Sequence, residues 1–342
     1  MTTDPLEAPI RATDYHTAGE PFRIVTSQIT GIPGDTVADR RMHAIRSTEL
    51  DRIRRFLCHE PRGHADMYGC FLVPPDDDGG DAGVLFWHKD GFSTACGHGT
   101  IALATWLVET GRVEAASDGV TDLAIDVPSG RVIARVSCEA GRVQHVIFRN
   151  VASFVLARSV PVETRKGTVY ADLAYGGAVY ASLDAQSAGL SVSPDHYADL
   201  IAVGREIKWA LDEAPETQHP SDPRLSGVYG TIWYDDLGDM ADGIHQRNVT
   251  VFADGEVDRS PCGSGTATRV ALLADEGRLA PGQVLIHESI IGTRFTAWVA
   301  ELTRAEGRPA VVPEIQGNAF ITGEHVFVLD PRDELGTGFV LR

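Results

Sequence analysis

Two copies of one short stretch constrain this chain more than anything else in it. The first is Cys96-Gly97-His98-Gly99-Thr100 and the second is Cys262-Gly263-Ser264-Gly265-Thr266. Each runs into a mostly apolar segment that stops at a Gly-Arg pair, Gly111-Arg112 in the first copy and Gly277-Arg278 in the second. The spacing from cysteine to closing glycine is the same in both, so the copies align without a gap. Each reads as a glycine turn feeding a helix that a C-terminal glycine ends. A cysteine at a helix N-terminus has its thiolate favoured by the helix dipole. The glycines leave first-turn N–H groups open to an anion such as a carboxylate. Taken alone, either cysteine reads as a small buried hydrophobe. The duplication instead predicts two similar domains facing each other across a cleft that holds both thiols. Thiols so placed can form a disulfide, hold a metal, or act as acid and base on one substrate. No nearby Cys-x-x-Cys or histidine cluster completes a zinc set, so no metal is expected.

The chain of 342 residues is long enough for two domains of ordinary size. Its formal net charge of −18 argues against nucleic acid or an anionic membrane as a partner. The five cysteines, Cys58, Cys70, Cys96, Cys138 and Cys262, are an odd number without tight spacing, which is no secreted disulfide framework. The opening Met1-Thr2-Thr3-Asp4-Pro5-Leu6-Glu7 lacks a basic and apolar signal segment. No apolar run approaches the roughly 20 residues that span a bilayer. A cytoplasmic location is the expectation.

Along the chain, residues 10–15 and 22–25 read as strands flanking the turn-rich His16-Thr17-Ala18-Gly19-Glu20-Pro21. Residues 36–57 read as mostly helix, with Leu50, Ile53 and Leu57 on one face and Arg52, Arg54 and Arg55 on a solvated one. Residues 84–87 are a buried strand candidate. Residues 120–133 alternate as a hairpin about Pro128-Ser129-Gly130, and 195–210 read as a helix. Further strands are predicted at 168–175, 228–234, 245–252, 289–296 and 320–329. Within this frame His16, His64, Asp66 and His88 are candidates for supporting the cleft, His88 through contact with a substrate hydroxyl; loop hydrogen bonding and a satisfied strand-end histidine are the competing readings. Asp258 reads either as a site carboxylate or as a helix cap or ion-pair partner of Arg259.

At this point a resemblance is visible. The chain resembles the proline racemase family, which also holds hydroxyproline 2-epimerases and trans-3-hydroxy-L-proline dehydratases. The resemblance rests on His16-Thr17-Ala18-Gly19-Glu20-Pro21, Pro61-Arg62-Gly63-His64, Cys96-Gly97-His98-Gly99-Thr100, Asp258-Arg259-Ser260-Pro261-Cys262-Gly263-Ser264-Gly265-Thr266 and Gly292-Thr293-Arg294-Phe295, which together extend over nearly the whole chain. It implies the diaminopimelate-epimerase-like α/β fold: two pseudo-symmetric domains, each a curved sheet around a central helix, with the active site between them. The first half is expected over residues 1–155, joined by 330–342, and the second over 156–329. The resemblance further implies a homodimer and no cofactor. Cys96 and Cys262 would flank the substrate Cα. Backbone N–H groups of Gly97, His98, Gly263 and Ser264 would hold its carboxylate, and Asp258 with the His98 side chain would sit by the ring nitrogen. Dehydratases of the family commonly have threonine at the position of Cys262, so the cysteine here favours a racemase or epimerase. The stretch Gly83-Val84-Leu85-Phe86-Trp87-His88 looks more like the dehydratase branch, and Thr94-Ala95 departs from the usual Ser-Met.

The expected reaction is cofactor-independent inversion of Cα of proline or 4-hydroxyproline. One thiolate removes the Cα proton and one thiol returns a proton to the other face. Converging N–H groups would stabilise the charge that gathers on the carboxylate oxygens, and the two thiols would titrate as a coupled pair. The alternative is dehydration of trans-3-hydroxy-L-proline. A remoter one is an amino-acid-binding or thiol-redox protein.

Overall fold

Both duplicated stretches do begin helices, Gly97–Glu109 and Gly263–Asp275, and the strands are laid around them. The structure, a computed structural model, describes residues 5–241 and 243–341. Residues 1–4 of the leader, together with Asp242 and Arg342, lie outside the described residues. The chain divides into two units. The first holds the described residues of 1–17, 21–144 and 318–342, and the second holds 18–20 and 145–317. The boundaries read from sequence were 155 and 329. Strand pairing accounts for the observed ones. Residues 146–149 of the strand Arg142–Arg149 pair with Arg308–Gly317, whereas Ala319–Phe327 pairs antiparallel with Ile10–Thr17.

In the first unit Glu20–Val25 runs parallel to Tyr68–Val73, which is antiparallel to Ala82–His88. Ala82–His88 is in turn parallel to Gly119–Val127, itself in a hairpin with Gly130–Glu139 about the predicted Pro128-Ser129 turn. Parallel neighbours need a crossover, and the helix Gly97–Glu109 supplies this one. It is buried from Gly97 through Leu107. It packs on Ile10–Thr17, Tyr68–Val73, Gly130–Glu139 and Ala319–Phe327. A helix covered on every side has to be apolar all round, and Ile101-Ala102-Leu103-Ala104 shows that composition.

The predicted single helix over 36–57 is two, Val37–Arg46 and Thr48–Cys58. Ser47 is the break: its N–H reaches Ala44 C=O and its side chain accepts from Leu50 N–H, so one residue closes the first helix and caps the second. The apolar face Leu50, Ile53 and Leu57 is buried as expected. Arg54 is not solvated. It is 5% exposed, with Asp51 at 2.5 Å and its guanidinium donating to the His88 and Lys89 carbonyls.

The second unit repeats the plan. Val179–Asp184 runs parallel to Val228–Met240, which is antiparallel to Gly243–Phe252. Gly243–Phe252 is parallel to Val284–Ser289, and the crossover is the helix Gly263–Asp275, buried from Gly263 through Leu273. Val284–Ser289 continues antiparallel into Arg294–Ala305 and Arg308–Gly317, while Phe154–Thr164 and Gly167–Tyr175 flank the other side. The strand expected at 289–296 instead contains the turn between two strands, because Gly292 takes φ 83 and Ser289 N–H closes on Thr293 C=O. An outer helix, Tyr197–Leu211, covers Val228–Met240 and Gly243–Phe252. Each unit is thus a sheet around a central helix. Among the described residues no helix is long and apolar enough to cross a membrane.

Candidate active site

The two cysteine helices end identically. Arg112 and Arg278 N–H groups reach back to the Leu107 and Leu273 carbonyls, each at 2.9 Å, and Gly111 and Gly277 take φ 67 and 71. This is the six-to-one closure that a left-handed glycine allows. The starts also match. Cys96 and Cys262 are the N-cap residues, and the first helical bonds are Thr100 N–H to Cys96 C=O at 3.0 Å and Thr266 N–H to Cys262 C=O at 2.7 Å. The N–H groups of Gly97, His98, Gly99 and of Gly263, Ser264, Gly265 therefore precede the helical ladder, at the positive end of the helix dipole.

The second glycine of each copy has a steric reason. A Cβ on Gly99 would lie 2.8 Å from Cys96 Sγ and 2.4 Å from Phe22 Cε2. One on Gly265 would lie 2.9 Å from Cys262 Sγ and 3.1 Å from Ile232 Cδ1. Each sulfur curls over its own helix start onto the space a side chain would fill. Gly99 N–H donates to Cys96 Sγ at 3.3 Å.

Around Cys96, 5% exposed, the first unit gathers rings. The His98 ring nitrogens lie 3.5 and 3.6 Å from Cys96 Sγ. The His98 ring stands edge-on to Phe22 and Tyr68, with centroids 5.8 and 5.1 Å away. Its carbonyl accepts from Thr17 Oγ1 at 2.9 Å, which ties the helix start to the Ile10–Thr17 strand. Tyr68 pairs its hydroxyl with Ser93 and its ring with His88, 5.6 Å between centroids. His88 is buried at the end of Ala82–His88, its Nδ1 accepting from Asp90 N–H at 3.2 Å. The structure thus brings His98 and His88 into one ring cluster beside Cys96. His16 lies on Ile10–Thr17 with its ring 5.6 Å from Phe320. His64 is exposed and takes Asp66 N–H on its Nδ1, so these two close a turn with each other.

Around Cys262, 6% exposed, the second unit gathers hydroxyls and a carboxylate. Asp258, at the end of Glu256–Asp258, accepts Ser260 N–H and Ser260 Oγ–H on Oδ1 at 2.8 and 2.7 Å. Ser260 Oγ in turn accepts Cys262 N–H at 3.1 Å. Arg259 pairs with Glu20: its N–H and Nε reach Glu20 Oε2 at 2.8 and 3.0 Å. That partner, from the conspicuous His16–Pro21 turn, was not foreseen. Ala18 of the same turn is held by Thr293 Oγ1 at 2.8 Å, which joins two of the five resemblance motifs inside one unit.

Cys262 carries backbone strain that Cys96 does not. Its φ of 63 with ψ of 108 is a conformation a side-chain-bearing residue seldom takes, while Cys96 is extended at φ −157. Such a residue costs of order 1–3 kcal/mol and persists where the surroundings hold it, commonly at a functional position. Burial pushes the Cys262 thiol up and the Asp258 charge adds to this, while the Tyr180 hydroxyl 3.8 Å from Sγ opposes it. The sequence argument placed a favoured thiolate at both helix starts. At Cys262 burial works against the thiolate that the helix dipole favours. Tyr180 was missed because it comes from a strand with no local signature.

With this geometry in view, the comparisons are direct. A family model described as Proline racemase matches residues 12–340. A trans-3-hydroxy-L-proline dehydratase of Bacillus cereus is 43% identical over 331 residues, 96% of this chain and 97% of that protein. A 3-hydroxyproline 2-epimerase of Burkholderia multivorans is 44% identical over 330 residues, with 96% and 97% covered. The crystal structure of a hydroxyproline epimerase from Agrobacterium vitis, with bound trans-4-hydroxy-L-proline, superposes with a TM-score of 0.91 at 33% identity, covering 98% of this chain and 95% of that one. The chain belongs to the proline racemase family. It is an enzyme of that family, and the diaminopimelate-epimerase-like α/β fold expected from the sequence is its fold.

Proposed function

We propose that this chain is a cofactor-independent hydroxyproline 2-epimerase in which Cys96 and Cys262 carry the two protons. The observation that supports it most is the thiol at Cys262, kept in a strained backbone at a helix start that copies the one at Cys96. For one substrate enantiomer Cys96 takes the Cα proton and the protonated Cys262 returns one to the opposite face. For the other enantiomer the roles exchange. The first-turn N–H groups of Gly97, His98, Gly263 and Ser264 receive the substrate carboxylate, and their positive potential stabilises the enediolate-like oxygens as charge builds on them. Asp258 faces the cationic ring nitrogen, and its bonds to Ser260 fix that carboxylate. His98, beside Cys96 Sγ, serves as hydrogen-bond partner to that sulfur.

The relatives bear on the substrate and on a second reading. Two are named for 3-hydroxyproline and one neighbour holds 4-hydroxyproline. The name dehydratase at 43% identity supports loss of water from trans-3-hydroxy-L-proline as the alternative. There one cysteine removes the Cα proton, hydroxide leaves Cβ with a proton, and a cyclic enamine results. The test is a panel of proline, 3-hydroxyproline and 4-hydroxyproline in heavy water. The expected result is Cα deuteration with inversion from both enantiomers of a hydroxyproline. A carbonyl-trapped product from 3-hydroxyproline, without inversion of any member, moves the assignment to dehydration. Neither product from the panel defeats both.

A further inference from the structure

The second cysteine cluster contains a hydroxyl pair whose geometry reaches further than substrate binding. Tyr180, on Val179–Asp184, is 1% exposed. Its hydroxyl oxygen lies 2.7 Å from Ser264 Oγ and 3.8 Å from Cys262 Sγ. Its ring is held edge-on by Tyr229 at 5.7 Å, and Ile232 and Ala178 complete an apolar wall around Cys262. A tyrosine ring so enclosed keeps its hydroxyl oxygen beside both the sulfur and Ser264, while the O–H itself can turn to either. No counterpart was read from the sequence, since Tyr180 and Ser264 are 84 positions apart.

We propose that Tyr180 and Ser264 form a reversible hydrogen-bond couple that serves Cys262 in both of its charge states. With the thiol protonated, Cys262 S–H donates to the Tyr180 oxygen and Tyr180 O–H donates to Ser264 Oγ. When Cys262 gives its proton to the substrate Cα, the sulfur becomes a thiolate and needs a donor. Both hydroxyls then rotate: Ser264 O–H donates to Tyr180 and Tyr180 O–H donates to the sulfur. No proton leaves either hydroxyl, so the couple is neutral throughout and only the Cys262 proton moves. This matters because the site is water-poor, and a thiolate formed there without a donor is costly. Besides the Tyr180 hydroxyl at 3.8 Å, the charged group that bears on the sulfur is Asp258 from Glu256–Asp258. Asp258 opposes the thiolate by charge, so the neutral donors have to offset it. Tyr180 acts through Cys262 and is a positioning residue. This inference rests on reading Cys262 as a proton carrier.

The test reads the sulfur itself, apart from turnover. In a Cys96→Ser background, the rate of alkylation of Cys262 by iodoacetamide is followed by mass spectrometry across pH, with Tyr180 intact and as Tyr180→Phe. Phenylalanine keeps the ring packing and removes only the hydroxyl; circular dichroism checks the fold. The expected result is a midpoint displaced to higher pH, with the rate below the midpoint falling about tenfold for each unit displaced. Ser264→Ala is expected to move it the same way by less, since Tyr180 then keeps its donor but loses its support. In the two-cysteine enzyme, Tyr180→Phe is expected to shift the pH profile of inversion to the alkaline side. An unchanged midpoint with folded Tyr180→Phe overturns the couple. An unchanged midpoint together with inversion abolished by Cys262→Ser overturns the couple alone. A displaced midpoint with inversion intact in Cys262→Ser upholds the couple and overturns the functional reading.

Discussion

The steric reason for the second glycine of each motif makes a quantitative prediction. Gly99→Ala places a methyl 2.8 Å from Cys96 Sγ and 2.4 Å from Phe22 Cε2. Phe22 is 0% exposed and wedged among Tyr68, Phe86 and His98, so its ring cannot move aside cheaply. Overpacking of this kind costs about 1–3 kcal/mol. Alanine in place of helical glycine returns about 1 kcal/mol of propensity. The net expectation is a loss of up to about 2 kcal/mol from the two together. Gly265→Ala meets Cys262 Sγ at 2.9 Å and the flexible tip of Ile232 at 3.1 Å. Its stability change should be smaller, with propensity and crowding nearly cancelling. Turnover should respond differently. Both methyls displace a sulfur, and a displacement near 1 Å of a reacting group costs on the order of 10²-fold. Urea denaturation measures the first effect and Cα deuterium exchange the second. The discriminating result is Gly265→Ala, expected to be about as stable as the parent yet catalytically poor. Inversion near the parent rate in that variant would refute the claim that the glycine exists to make room for the thiol.

Cys96→Ser and Cys262→Ser are each expected to abolish inversion with the fold intact, beyond the ~10²–10⁴-fold of one proton-transfer group, because a hydroxyl neither gives nor takes this proton. Cys58→Ser, Cys70→Ser and Cys138→Ser should leave turnover nearly unchanged, whereas near-parent inversion by Cys96→Ser or Cys262→Ser ends the two-thiol mechanism. His287 is fully buried with Nδ1 2.7 Å from Thr266 Oγ1, and burial and the Arg269 charge hold its pKa well below the usual histidine value. The folded chain therefore binds this proton less readily than the unfolded one, so the stability His287 contributes is present above about pH 6.5 and is lost as pH falls below it, at up to about 1.4 kcal/mol per unit. Urea midpoints between pH 7 and 5 should fall less steeply in His287→Asn; equal slopes would remove His287 as the cause.

Much of the fold was legible because its signals are local. The glycines at 111 and 277 end helices through their own φ, and the apolar run after each cysteine marks a helix with no exposed face. Hairpin turns and the buried strand at Ala82–His88 are equally short-range. What was not legible depends on partners far away in sequence. Arg54 reads as one of several arginines on a polar face until the carbonyls of His88 and Lys89 are found beside it. Arg259 reads as a partner for adjacent Asp258, and only the fold brings Glu20 to it. Tyr180 sits in a strand whose pattern is that of any buried strand, and only the fold brings its hydroxyl to Ser264.

The comparison between the copies carries one further step. Sequence identity at Cys, Gly, Gly and Thr suggests equivalent thiols, and the helix ends are equivalent bond for bond. The cysteines are not. Cys96 enters its helix from an extended backbone and takes Gly99 N–H on its sulfur, so the motif by itself demands no strain. The positive φ of Cys262 follows an approach in which Asp258 accepts from Ser260, Ser260 accepts from Cys262 N–H, and Pro261, immediately before the cysteine, has its own φ fixed. The Asp258 charge also bears on the Cys262 thiol, whereas Cys96 Sγ has the His98 ring nitrogens 3.5 and 3.6 Å away. One duplicated helix start thus presents two thiols in different settings. The residues that differ between the copies, His98 against Ser264, lie at that difference: His98 stands beside Cys96 Sγ, and Ser264 Oγ beside the Tyr180 hydroxyl that reaches Cys262.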